Sequence, residues 1–150
     1  MRTRLDHATV VTPAGDAVAV HDDHTIEFKN ERITWLGPTA AAAERPPADE
    51  TVDASRYLVI PGLVNTHHHL FQSITRCRKS VQDATLFDWL VGQYPIWRHL
   101  DYDTLKLAAT ISLAELLLSG GTTTSDHHYL FPRGNNVRLE AVLEAADALG

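Results

Sequence analysis

Cysteine is nearly missing: Cys77 is the only one among 150 residues. A single thiol forms no internal disulfide, which fits a reducing, cytoplasmic setting. Long hydrophobic runs are missing too. The longest, Ile111 to Leu118, is broken by Ser112 and Glu115, whereas a membrane span requires roughly 18 consecutive apolar residues. No apolar segment follows Arg2 and Arg4, so no secretory signal is expected. Basic residues are scarce, with 13 Lys and Arg against 19 Asp and Glu and a formal net charge of -6. Nucleic-acid binders neutralise phosphates with clustered Lys and Arg. The one basic cluster here, Arg76, Arg78 and Lys79, is too short for that. Neither a membrane nor a nucleic acid is expected as a partner.

What the chain does have changes character near residue 58. Before it, short β-like segments alternate with turn signals. Thr9 to Thr12 is stopped by Pro13-Ala14-Gly15-Asp16, and Ala17 to Val20 forms a second candidate strand. Thr25 to Lys29 and Arg32 to Leu36 flank a hairpin turn at Asn30-Glu31, and Gly37-Pro38 closes it. Thr39 to Asp49 has no clear period, and Thr51 to Asp53 reads as one more strand. Residues 1–58 are therefore expected to be part of a small β domain. Alone it buries little core, so it should pack on something larger.

Residues 59–150 read as the opening of a βα series. Leu58 to Val64 is an almost continuous apolar run, as expected of a parallel strand buried on both faces. Its proline places the regular strand from about Gly62. A helix is expected around Leu86 to Val91, with Pro95 starting a short turn. The clearest helix is Asp103 to Ser119, whose stripe is Leu105, Ala109, Leu113, Leu116 and Leu117. Asp103 is its expected N-cap and Gly120-Gly121 its stop. Thr122 to Asp126 reads as the next strand. A last amphipathic helix, capped by Asn136, carries Val137, Leu139, Val142, Leu143 and Leu149. The fold class is α/β, with the first two βα units of a (β/α)₈ barrel. Such a barrel takes roughly 250 residues, so a longer protein is expected.

The chemistry concentrates at Asn65-Thr66-His67-His68-His69-Leu70, directly after the apolar strand. Residues two apart on a strand face the same way. His67 and His69 can thus aim two imidazoles at one ion, with His68 turned away. That spacing suits Zn²⁺ or Fe²⁺, and barrel enzymes carry their catalytic groups at this end of the strands. An H-x-H alone is weak evidence, since any His-rich loop supplies one. Its place at the mouth of a buried strand strengthens it. His7, His21, His24 and His99 are expected on the surface, and Trp89 and Trp97 in helix packing.

The run Pro61-Gly62-Leu63-Val64-Asn65-Thr66-His67-His68-His69 resembles the P-G-[FL]-[VI]-[ND]-x-H-x-H signature of the amidohydrolase superfamily. The upstream β segment is similar to the composite β domain that its members build from both chain ends. Further segments resemble the subgroup acting on 8-oxoguanine, with hydroxyatrazine and chlorotriazine hydrolases sharing much of the pattern. They are Leu70 to Arg76, Leu86 to Leu90, Tyr94 to Trp97 and Ser119 to His127. The resemblance implies a metal-dependent hydrolytic deaminase with one divalent ion, Zn²⁺ or Fe²⁺, held in part by His67 and His69. It implies a small heterocyclic substrate, 8-oxoguanine giving urate and ammonia, with a triazine as the alternative. Gln72 and one of Asp126, His127 and His128, taken as His127, are the substrate-contact candidates. Homo-oligomers are common among such enzymes. The remaining ligands and the acid and base come from later barrel strands, so no catalytic acid or base is assigned among these residues.

Competing classes separate on simple features. Zinc deaminases with a Pro-Cys-x-x-Cys motif are excluded by the single cysteine. Binuclear relatives share the H-x-H but add a carboxylated lysine on a later strand. A non-enzymatic reading also stands: these residues alone bind metal weakly and catalyse nothing.

Overall fold

Gly15, at φ +62°, turns the chain between two long antiparallel strands, β1 (Arg2–Ala14) and β2 (Ala17–Lys29). The computed structural model describes all residues, 1–150. Its first unit, Met1–Pro61, is a sheet in which β3 (Arg32–Pro38) extends the hairpin on one side and β4 (Glu50–Asp53) and β5 (Leu58–Val59) run parallel to β1 on the other. The two segments read as separate strands, Ala17 to Val20 and Thr25 to Lys29, are one. The polar stretch between them looked like a break, but backbone pairing continues through it with slipped register. His7 and Asp23 take left-handed φ values of 64° and 52° at this irregularity, as bulged strands require of single residues. The Asn30-Glu31 turn is as expected, with Asn30 also left-handed and Lys29 paired to Arg32.

Ala8, Val10, Ile26 and Ala54 form the small core of this unit. Beside it, the Glu27 carboxylate, 1% exposed, accepts from Arg4 at 3.1 Å, Arg45 at 3.1 Å and Thr34 at 3.1 Å. Burial pushes Glu27 upward, yet the hydrogen bonds from Arg45, Arg4 and Thr34 outweigh it and hold the carboxyl below its usual value.

The second unit is Gly62–Gly150. Its centre is a parallel pair, β6 (Leu63–His68) with β7 (Gly121–Asp126). The connection between them carries two short 3₁₀ helices, Leu70–Thr75 and Lys79–Val81, then α1 (Leu86–Trp97) and α2 (Tyr102–Leu118). α3 (Glu140–Asp147) follows β7. Phe71, Trp97, Leu100, Leu105 and Leu130 build the main core, and Leu70, Ala109, Leu113 and Ala145 a second cluster. Trp97 is fully buried, with its indole N–H on Thr75 Oγ1 at 2.9 Å, so it packs as expected. No helix is long and apolar enough to cross a membrane.

Several local expectations are corrected. β6 is not buried on both faces, since Leu63 and Val64 are 53% and 63% exposed; its two-stranded sheet leaves one edge unpaired. Asp101, not Asp103, caps α2. Its carboxylate accepts from Thr104 N–H at 2.9 Å from an extended backbone, while Asp103 lies in the first turn. Pro95 sits inside α1 rather than starting a turn; this near the C-terminus few backbone bonds depend on it. Asn136 does not cap α3. Its side chain accepts from Tyr102 N–H at 3.2 Å, and α3 begins at Glu140 with no side-chain cap. Leu139 and Leu143 consequently face outward, while Ala141 and Ala145 are buried. Of the four outlying histidines, His7 and His99 are exposed, and His21 and His24 are half-buried with their rings 5.0 Å apart.

Candidate metal centre

The site is made by two adjacent strand ends. Gly62 immediately precedes β6, and a Cβ there would overlap the Thr122 side chain on β7, so glycine lets the chain approach so closely. The register then sets His68 beside Asp126. Beyond the ladder, the His127 N–H donates to the His68 carbonyl at 2.7 Å. Ser125 Oγ donates to the Thr66 carbonyl at 2.6 Å. The end of β6 is therefore held along its length by the end of β7.

On that frame the His67 and His69 rings converge. Their Nε2 atoms are 3.2 Å apart, and the rings meet edge to face at 87°. Two imidazole nitrogens at about 2.0–2.1 Å on a tetrahedral ion stand about 3.3–3.4 Å apart. The separation of the two Nε2 atoms is within about 0.2 Å of that value. His69 Nδ1 is 2.8 Å from the His127 carbonyl; the nitrogen donates, which fixes the tautomer and leaves Nε2 with its lone pair free. His69 lies one residue past β6, at the start of the first 3₁₀ turn. No third His, Cys, Asp or Glu completes a ligand group around the pair.

His68 takes no part in the ring contacts that join His67, His69 and His127. The Glu115 carboxyl is held below its ordinary value first by its hydrogen bond with Arg76, against burial, and then by the charge of Arg76. Arg76 and Glu115 form a two-pronged ion pair at 2.7 and 2.8 Å. With Asn65, Gln72, Ser73 and Ser112, these residues and the three histidines line a hollow of about 410 Å³.

Gln72 is half-buried in that hollow, and its amide donates to the Tyr129 hydroxyl at 3.2 Å. Burial raises the Tyr129 phenol above its ordinary value, and the Gln72 contact opposes the rise. The Tyr129 ring stands edge-on to His69, with centroids 5.3 Å apart. His127 stacks on His67 with centroids 4.3 Å apart, and its Nε2 donates to the Thr66 carbonyl at 3.2 Å. His128 is turned to Phe71 and Phe131, its Nε2 donating to the Leu130 carbonyl at 2.8 Å. Of the two neighbours, only His127 reaches the pair. Tyr129 and the Arg76–Glu115 pair were missed from sequence. Glu115 had left a signal, a charge intruding on an apolar helix stretch; Tyr129 had left none.

The sequence pattern of the amidohydrolase family matches residues 58–150, and the chain belongs to that family. It is 47% identical over 137 residues to an 8-oxoguanine deaminase of Pseudomonas aeruginosa, covering 91% of this chain and 28% of that enzyme. An isoxanthopterin deaminase of an unknown prokaryotic organism is 42% identical over 151 residues, covering 99% of this chain and 31% of that enzyme. Among solved structures, the atrazine chlorohydrolase of Arthrobacter aurescens, complexed with zinc, superposes with a TM-score of 0.84 at 27% identity. That match covers 99% of this chain and 34% of the other. The chain thus spans about a third of the length of such relatives, and its α/β architecture is that of the N-terminal part of their fold.

Proposed function

We propose that the full-length protein is a metal-dependent hydrolytic deaminase that converts 8-oxoguanine and water to urate and ammonia. The observation that carries this reading is the convergence of His67 and His69 Nε2 at 3.2 Å on the mouth of a parallel strand pair. The 47% identity to an 8-oxoguanine deaminase supports the choice of substrate. A divalent ion, Zn²⁺ in the first instance and Fe²⁺ in the second, is held in part by His67 and His69. When bound, it supplies the Lewis acidity that makes water a competent nucleophile at neutral pH.

The residues around the pair divide the remaining work. His127 backs the ring of His67, and its carbonyl fixes the tautomer of His69. Gln72 meets the heterocycle with an amide that can both donate and accept, braced by Tyr129. The bond broken joins a ring carbon to the exocyclic amino nitrogen, which leaves as ammonia, and the bond formed joins that carbon to the oxygen of water. The two units are the N-terminal part of the composite β domain and the first βα units of the barrel. A reducing, cytoplasmic setting and a homo-oligomeric state belong to the same proposal, as does the absence of nucleic-acid and membrane partners.

The test is ammonia release by the full-length protein from 8-oxoguanine, guanine, isoguanine and hydroxyatrazine in parallel, with 8-oxoguanine expected fastest. The superposition on a triazine-processing enzyme favours one rival reading. Faster turnover of hydroxyatrazine would decide for it.

A further inference from the structure

At the end of β7, the Asp126 carboxylate is split between two situations. Oδ1 accepts from the Leu70 backbone N–H at 3.1 Å, the first amide of the 3₁₀ turn that begins at His69. Oδ2 is buried and has no hydrogen-bond partner in the protein. A buried carboxylate oxygen without a donor is costly, and a serine or threonine hydroxyl could accept from one amide without it. The neighbourhood explains why a charge stands there. His67 and His69 are neutral donors when they hold a metal, so the pair brings no negative charge to a doubly positive ion. Asp126 lies opposite His68 in the ladder and holds the residue after His69. The next residue, His127, takes the His68 carbonyl with its N–H and the His69 Nδ1–H with its carbonyl. Three consecutive positions, the last of β6 and the two that follow it, are thus gripped by the last residue of β7 and the one after it.

We infer that Asp126 is the positioning residue of the metal pair, fixing the turn that carries His69 and supplying the negative charge that the two imidazoles lack. The inference rests on the reading of His67 and His69 as ligands. Groups of this kind next to ligating histidines shift metal affinity about 10–100-fold when removed.

The full-length protein, stripped of metal, decides the matter by zinc affinity in competition with a chromophoric chelator and by the visible spectrum of the Co²⁺ form. Asp126→Asn keeps an acceptor for Leu70 N–H and loses the charge; it is expected to weaken zinc about tenfold while the far-ultraviolet circular dichroism of the apoprotein stays as in the wild type. Asp126→Ala loses both and is expected to weaken zinc further and to shift the Co²⁺ bands. His67→Ala serves as the control that must lose the metal. If both Asp126 variants bind zinc like the wild type while His67→Ala does not, the inference is overturned and the ligand assignment stands. If the wild type and His67→Ala bind zinc equally, both fall.

Discussion

Gly62 faces Thr122 across the β6–β7 pair with no room for one methyl group between them. That single close approach lets the two strand ends share hydrogen bonds four to seven residues later, where the histidines emerge. Gly62→Ala is therefore expected to do two things. It should destabilise the full-length protein by about 1–3 kcal/mol, the usual cost of overpacking, and it should weaken metal retention by moving β6 against β7. Urea unfolding and metal content would check both. A variant with unchanged midpoint and full metal would show that the strands yield without cost.

The ligand assignment separates the three adjacent histidines. His67→Ala and His69→Ala are expected to strip the ion and abolish turnover, because each removes one of the paired Nε2 atoms. His68→Ala should retain metal and most activity, since His68 takes no part in the ring contacts of the pair. Metal analysis of the three purified variants is the measurement. Full occupancy in His67→Ala would overturn the assignment.

In the β unit, Glu27 sets a pH dependence whose sign can be worked out. Its folded pKa lies below its ordinary value because Arg45, Arg4 and Thr34 outweigh burial. A depressed carboxylate gives stability that is present above its unfolded pKa and lost as pH falls through the folded one. Glu27→Gln leaves arginines without their charge partner, and breaking a buried pair costs about 3–5 kcal/mol. The expected result is a large loss of thermal stability near pH 7. That gap to the wild type should shrink below roughly pH 4.5, the ordinary glutamate range. A gap constant from pH 7 to pH 3 would contradict the role given to the charge.

Much of this architecture was legible because its signals are local. The Asn30-Glu31 hairpin, the stop at Gly120 and the Thr-rich β7 each follow from a few neighbouring residues. The H-x-H pair was legible for the same reason, since alternation along a strand fixes which rings converge. Most of the failures turn on geometry that no short stretch of sequence carries. Asp101 and Asp103 are equally good caps in sequence, and only the extended backbone at Asp101 decides between them. Asn136 was read as a cap, yet Tyr102, 34 residues earlier, takes its side chain. The continuous strand β2 crosses His21 to His24 because a bulge in β1 keeps pace with it. Tyr129 acquires its place only when β7 lies beside β6, 57 residues from Gln72.

The last prediction concerns Gln72, which lies three residues beyond His69, with its amide N–H committed to the Tyr129 hydroxyl. That bond restrains the amide and leaves its carbonyl oxygen to accept from a heterocyclic N–H. A net hydrogen bond in such a site is worth about 1–3 kcal/mol when its loss leaves a buried partner unsatisfied. Gln72→Ala is accordingly expected to lower kcat/KM for 8-oxoguanine by about tenfold to a hundredfold, with zinc content unchanged. Sites built to hydrogen-bond a polar group reject analogues that lack it by factors on the order of 10⁴. If Gln72 reads the 8-oxo edge, the variant should therefore lose more on 8-oxoguanine than on guanine. The comparison needs both substrates and a metal assay on the same preparation. Equal losses on both substrates would leave Gln72 as a general contact. A loss of zinc in step with activity would make it a support of the metal pair instead.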